Sequence, residues 1–324
     1  MKKFSKTMLL LTSIFTIGTA VGSGTTSAQA SSNGIDTTVI NEKWGKPTFV
    51  YGGGLSETQI EETIKLLKIE NTDNVNIIAV TGEDLRHYLN DGAANTADMI
   101  SSVLVQKQDS GNGVEVVIQT PNNITQITSD QYTNAAITAG VSDAKIIVAS
   151  VSRVTGESAL TGIYKAFDVN GEELEQDRME VAQEELETTN QIAQENADEE
   201  GFDSSKLDQA MIEIKQSLAE LKERQGELAT REDIEQIIND ALERAQLGDY
   251  VTQEQFNRLL DLFEKYQQTS AIDSEQVKEQ LSDLANNVKD KVSDLINQAE
   301  ESGLMDKIAN FFREIWQAIT ALFN

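Results

Sequence analysis

Ala144-Lys145-Ile146-Ile147-Val148-Ala149-Ser150-Val151 (AKIIVASV) is the most strand-like run in the chain. Its consecutive β-branched residues suit a pleated, buried strand better than a helix. Just beyond it, Thr155-Gly156-Glu157 turns the backbone into a stretch carrying Leu160, Ile163, Tyr164 and Phe167 at helical spacing. Upstream, Thr128-x-x-Gln131 has the spacing of a capping box, and the helix it opens runs through Ala139 to Gly140, a residue suited to a left-handed stop. A helix, a strand and a helix in succession set the theme of an α/β fold.

The alternation continues outward. Ser56-x-x-Gln59 opens a helix with Ile60, Ile64 and Leu67 on one face, and Val75–Val80 (VNIIAV) reads as a buried strand. Thr81-x-x-Asp84 resembles another cap and leads into Leu85, Tyr88 and Leu89. Ser101–Gln106 and Val114–Gln119 are β-rich, and Asp109-Ser110-Gly111-Asn112-Gly113 between them is turn chemistry, so the two are expected as a hairpin. Residues 31–171 are therefore expected to form an α+β or α/β domain, a mixed sheet with helices.

Both prolines, Pro47 and Pro121, lie in the first half, and beyond Glu172 the apolar period becomes helical. Residues 172–203 are rich in acid and are expected as a solvated helical linker. Residues 204–303 are expected as an all-α amphipathic region, a bundle or coiled coil. Leu207, Met211, Ile214, Leu218 and Leu221 recur at four-three spacing, and Val277, Leu281, Leu284, Val288, Val292 and Leu295 form a second seam. Thr252-x-x-Gln255 caps a helix burying Phe256, Leu259, Leu260 and Phe263, while Gly248 and Gly303 punctuate the pattern. Residues 304–324 are expected as a last amphipathic helix, with Ile308, Phe311, Phe312, Ile315, Ile319, Leu322 and Phe323 in a stripe and Trp316 beside it. It reads as a helix docked on its neighbours, with a membrane surface as the less favoured partner: Asp306, Lys307, Arg313 and Glu314 cancel, leaving no basic face for anionic lipid.

The first thirty residues have the signature of export. Lys2, Lys3 and Lys6 precede an apolar stretch from Met8 to Val21, and Ala28-Gln29-Ala30 offers a small-x-small cleavage site after Ala30. No cysteine occurs anywhere, which removes a lipoprotein anchor, disulfides, thiol catalysis and thiolate metal sites together. Cleavage would take the formal charge from −28 to −31, since three lysines and no acids are lost. Such a surface repels nucleic acid and anionic membrane and favours cations or basic partners.

Signals for chemistry are sparse. His87 is the one histidine, with Asp84 a turn earlier and no serine placed beside it. Gly156-Glu157-Ser158-Ala159-Leu160 lies between a strand and a helix, but a nucleophile elbow needs glycine where Leu160 stands; Thr155 as cap, with Glu157 complementing the dipole, is the simpler reading. Gly52-Gly53-Gly54 precedes a helix without either phosphate-loop spacing, so a turn is expected. Asn196-x-Asp198-x-Glu200-Gly201 begins like a calcium loop, yet its twelfth position is Leu207, and Asp168-x-Asn170-Gly171 places glycine too early. No metal or cofactor is expected. Thr155, Glu157, Ser158, Thr161, Tyr164 and Lys165, at the strand–helix junction, are the candidate recognition surface.

Gln131-Tyr132-Thr133-Asn134-Ala135-Ala136-Ile137-Thr138-Ala139-Gly140-Val141, then Ala149-Ser150-Val151 and Val154–Phe167, resemble the exported Firmicutes family known as domain of unknown function 1002. Thr120-Pro121-x-x-Ile124-Thr125, Ser101-Ser102-Val103, the glycine run and the tail with Phe311-Phe312 fit the same pattern. The resemblance implies a secreted protein of Gram-positive bacteria and brings no activity, ligand or catalytic residue. Together these readings lead to a non-enzymatic secreted or envelope-associated binding protein with an extracellular partner, self-association through its helices being a further expectation. Paired carboxylates of the glycosidase kind have no fixed spacing, so a wall-polymer hydrolase using acids alone is the competing expectation.

Overall fold

Among the described residues, five short strands form one sheet: β1 (Thr48–Gly52), β2 (Asn76–Val80), β3 (Ser102–Lys107), β4 (Val114–Ile118) and β5 (Ala144–Ala149), in the order β2-β1-β3-β5-β4. The structure, a computed structural model, describes residues 34–90 and 95–298. The leader at 1–30, Gly303 and the helix expected at 304–324 lie outside the described residues. β1 pairs with β2 and β4 with β5 in parallel, whereas β3 runs antiparallel to β1 and β5. Four strands thus point one way, with one reversed strand between the two pairs.

The expected hairpin is corrected here. Residues 102–107 and 114–118 are both strands, but β5 lies between them. The physical reason is double-sided burial: Ile146 and Val148 enter one core while Ile147 and Ala149 enter the other, so AKIIVA gains most away from an edge. Its neighbour β4 takes the edge. The glycine turn closes onto the base of β5 instead of pairing two strands: Gly111 and Gly113 donate backbone N–H groups to Asp143 Oδ1, at 2.8 and 3.2 Å.

Four helices accompany the sheet: α1 (Glu57–Leu66), α2 (Gly82–Leu89), α3 (Ser129–Ala139) and α4 (Ser158–Val169). Ser56, Thr81 and Thr128 form the capping boxes that their spacing implied, and Gly140 ends α3 at φ +97°. α1 covers the face holding Phe49, Leu104 and Ile147; α3 and α4 cover the opposite face, with Val50, Val103 and Ile146. Both parallel crossovers step the same way along the sheet with helices on opposite faces. One of them therefore has the uncommon left hand.

The acidic stretch is a packed element. Within it α5 (Gln176–Glu195) buries Met179, Ala182, Leu186 and Ala193 at three-four spacing against α3, and turns its surplus acids outward. Beyond lie α6 (Ser204–Gln225), α7 (Arg231–Arg244), α8 (Gln253–Tyr266) and α9 (Glu275–Gln298). α6 packs on α7 and α9, α7 on α8, α8 on α5, and α9 also on α3. α3 is buried on both sides, since Ile137 belongs to the helical core while Ala135, Ala136 and Ala139 belong to the sheet core. Gly248 does not end α7, which stops at Arg244 with Gln246 in the left-handed region at φ +59°. Among the described residues no helix is long and apolar enough to cross a membrane.

Ahead of β1, the segment around Trp44 is clasped to the sheet. The Trp44 ring meets Phe167 edge-on at 4.7 Å. Glu172 accepts from Trp44 Nε1 at 2.9 Å and from Lys107 Nζ at 2.6 Å.

Candidate functional site

The six residues of the strand–helix junction fall into two groups. Thr155 is exposed, and Glu157 and Ser158 are half-buried at the start of α4. Thr161 and Tyr164 face the core and are fully buried, while Lys165 is tied to Asp84 at 2.7 Å. The expected Thr155 cap is also corrected: Glu157 occupies the cap position of α4 without a capping side-chain bond. Tyr132 donates to the Gly156 carbonyl at 2.5 Å, and Gly156 adopts φ +114°, a turn that leaves Thr155 outside beside the Glu157 carboxylate.

The glycine run has spent its amides. Gly53 donates to the Val80 carbonyl at 2.8 Å and Gly54 to that of Met99 at 3.0 Å, while Gly52 donates to Ser102 Oγ. A Cβ on Gly54 would sit 2.5 Å from the Ala97 carbonyl oxygen. Residues 96–100 lie directly on these glycines, which accounts for the absence of side chains without any phosphate. At the incipient calcium loop, Asn196 Nδ2 donates to the Ile192 carbonyl and finishes α5. Among the described residues no three His, Asp or Glu side chains converge as a metal site requires.

One cleft does gather functional groups, between α2, α4 and the start of α5. It holds about 360 Å³ and is lined by His87, Tyr88, Tyr164, Asp168, Glu173, Leu174, Glu175, Gln176 and Met179. The Thr81–Asp84 box fixes the first turn of α2 and so places His87 and Tyr88 at its far end. Tyr88 is buried and donates to Asp168 Oδ2 at 2.8 Å; Tyr164 donates to the Met179 carbonyl at 3.3 Å. The two tyrosine rings meet edge-on at 6.2 Å, and His87 lies over Tyr88 at 5.0 Å.

Burial, reinforced by the Asp168 carboxylate, drives the Tyr88 hydroxyl far above the ordinary tyrosine range, and burial does the same for Tyr164. Both hydroxyls are therefore fixed neutral donors. The lining contains three carboxylates and neither lysine nor arginine. Such an arrangement offers negative charge around an apolar, aromatic floor. A larger groove of about 800 Å³ lies between α5 and α8, but there Lys265 is already paired with Glu184 at 2.7 Å. Its other cation, Arg258, is held by Glu195, and Asp261 and Glu264 are held by Arg231.

The family described as "Protein of unknown function (DUF1002)" matches residues 51–284. The chain belongs to this family. The "Uncharacterized protein YpuA" of Bacillus subtilis (strain 168) is 32% identical over 280 residues, covering 84% of this chain and 88% of that protein. No solved structure matches. The DUF1002 region runs from β1 into α9 and so contains every residue that lines the cleft.

Sequence reasoning passed over a polar knot inside this DUF1002 fold. Lys215, 0% exposed, lies 2.8 Å from Glu185 Oε1, itself 3% exposed. Burial pulls the Lys215 ammonium below the ordinary lysine range, and Glu185 pulls it back. The signal was available: Lys215 follows Met211 by four and precedes Leu218 by three, which puts a charge on an apolar face.

Proposed function

We propose that this chain is an exported, non-enzymatic binding protein whose α2–α4–α5 cleft takes a positively charged group. The observation that carries the reading is the cleft's makeup: Asp168, Glu173 and Glu175 around a floor of neutral tyrosines, with His87 at the edge and neither lysine nor arginine in the lining. The chain's net charge of −28 draws cations towards it. Export rests on the leader pattern at residues 1–30. The helical half is read as a bundle that supports the recognition layer and offers its outer faces to partners or to a second copy.

Calorimetric titration of the mature chain with butylammonium and guanidinium salts, and with sodium acetate as control, tests this. The cations bind and acetate does not. Joint replacement Asp168→Asn, Glu173→Gln and Glu175→Gln weakens binding about tenfold, the loss of roughly 1.4 kcal/mol from three partly exposed charges. Equal response to acetate, or none to either cation, removes the reading. Incubation with purified wall polymer addresses hydrolysis: turnover abolished by one Asp or Glu substitution would make the protein an enzyme. Liposome flotation of chains with and without residues 304–324 addresses membrane attachment, which requires the full chain to float better.

A further inference from the structure

Asp208 sits one turn inside α6 and is 3% exposed. A carboxylate so placed ordinarily has a cation or several N–H donors around it. Here Oδ2 accepts from Thr128 Oγ1 at 3.1 Å, the Gln131 side chain adds a second weak favourable contact, and Oδ1 makes no hydrogen bond of its own. Thr128 is the cap of α3, and its hydroxyl also accepts from the Gln131 N–H at 3.0 Å. The contact therefore joins α3, which packs on the edge strand β4 and on α5, to α6.

The charges acting on Asp208 are of its own sign: Asp130, in the first turn of α3, and Asp203, the cap of α6. Among the described residues, the elements packed around α6 bring no relief. α5 has one basic residue, Arg178, at its other end, donating to the Ile137 and Thr138 carbonyls. Arg231 of α7 is held by Glu264, Arg244 by Glu213, and Lys278 of α9 by Glu275. The short turn at Ser270–Asp273 contributes Asp273, paired with Lys222. On α6 itself, Lys215 is two turns away on Glu185, and Lys206 at i−2 points to another side.

We infer that Asp208 is a proton-operated latch between α3 and α6: the protonated side chain lets the two helices close on one another, and ionisation forces them apart. The latch is independent of any ligand in the cleft. Burial, with Asp130 adding to it, raises the carboxyl from 3.8 to about 7. The folded chain thus holds this proton more tightly than the unfolded chain. The stabilisation is complete below 3.8 and is lost as pH rises through about 7. A difference of about three units corresponds to roughly a thousandfold change in the folding constant.

The test compares urea unfolding of the full chain and of Asp208→Asn from pH 4 to pH 8. The two chains have similar stability at pH 4, and the variant becomes the more stable as pH rises, its folding constant gaining towards a thousandfold over wild type by pH 8. Hydrogen exchange across residues 204–212, corrected for intrinsic rates, is faster in wild type than in the variant at pH 8 and equal at pH 4. Carbon-detected NMR titration of the native protein gives the same answer should the variant fail to fold: the Asp208 carboxyl shift moves around pH 7. Parallel stability curves, or a carboxyl titrating near pH 4, would overturn the latch.

Discussion

Replacing Lys215 by methionine is the sharpest probe of what holds the two halves together. Lys215 Nζ donates to Glu185 Oε1 at 2.8 Å, to Asn134 Oδ1 at 2.5 Å and to Thr138 Oγ1 at 2.9 Å. Glu185 in turn accepts from Asn134 Nδ2 at 2.7 Å and from Thr138 Oγ1 at 2.6 Å. Three helices, α3, α5 and α6, meet in this closed set. At 2.8 Å and an effective dielectric of roughly 20, the pair attracts by about 6 kcal/mol, most of which offsets the cost of taking two charges out of water. Methionine keeps the volume and removes the cation, so Glu185 stays buried with neutral donors only. The expected loss is about 3–5 kcal/mol in urea unfolding followed by circular dichroism. The double variant Lys215→Met/Glu185→Gln recovers at least half of it, because no charge is then left uncompensated. A single-variant loss below about 1 kcal/mol, or a double variant weaker than either single, would refute the account of an obligatory pair.

Glu172→Ala removes two charge-assisted bonds from the Trp44 clasp and should cost about 2–4 kcal/mol, with the Trp44 emission shifting to the red as the indole reaches water. Gly52→Ala should cost about 2–4 kcal/mol in thermal or urea unfolding, because the new methyl overlaps the Met99 carbonyl. Inorganic phosphate at millimolar concentration should leave the amide shifts of Gly53 and Gly54 unmoved in two-dimensional NMR, since both N–H groups are already given to carbonyls.

Much of the fold was legible because it is locally encoded. The boxes at Ser56, Thr81, Thr128 and Thr252 announce helix starts through side chains three residues apart, and each is present. Partnership between strands is not local. Nothing in residues 101–119 records that AKIIVA, some thirty residues on, outcompetes β4 for the place beside β3. The acidic stretch misled for a related reason: its acid content masks a regular apolar file at Met179, Ala182 and Leu186. At the candidate site, Tyr164 and His87 could be singled out as chemical types. The meeting of Tyr88 with Asp168 depends on how α2 leans on α4, a tertiary fact with no spacing to betray it.

Every ladder bond between the β1–β2 pair and the β4–β5 pair passes through β3. Until β3 is seated, the inner borders of both pairs are bare, and these borders carry apolar side chains, Phe49 and Val50 on one side and Ile146, Ile147 and Val148 on the other. Assembly therefore closes at the middle of the sheet. A slip of β3 by a single residue would present Ser102 and Leu104 where Val103 and Val105 belong. During refolding that unfilled gap is where a chaperone, or a second misfolded copy, would take hold.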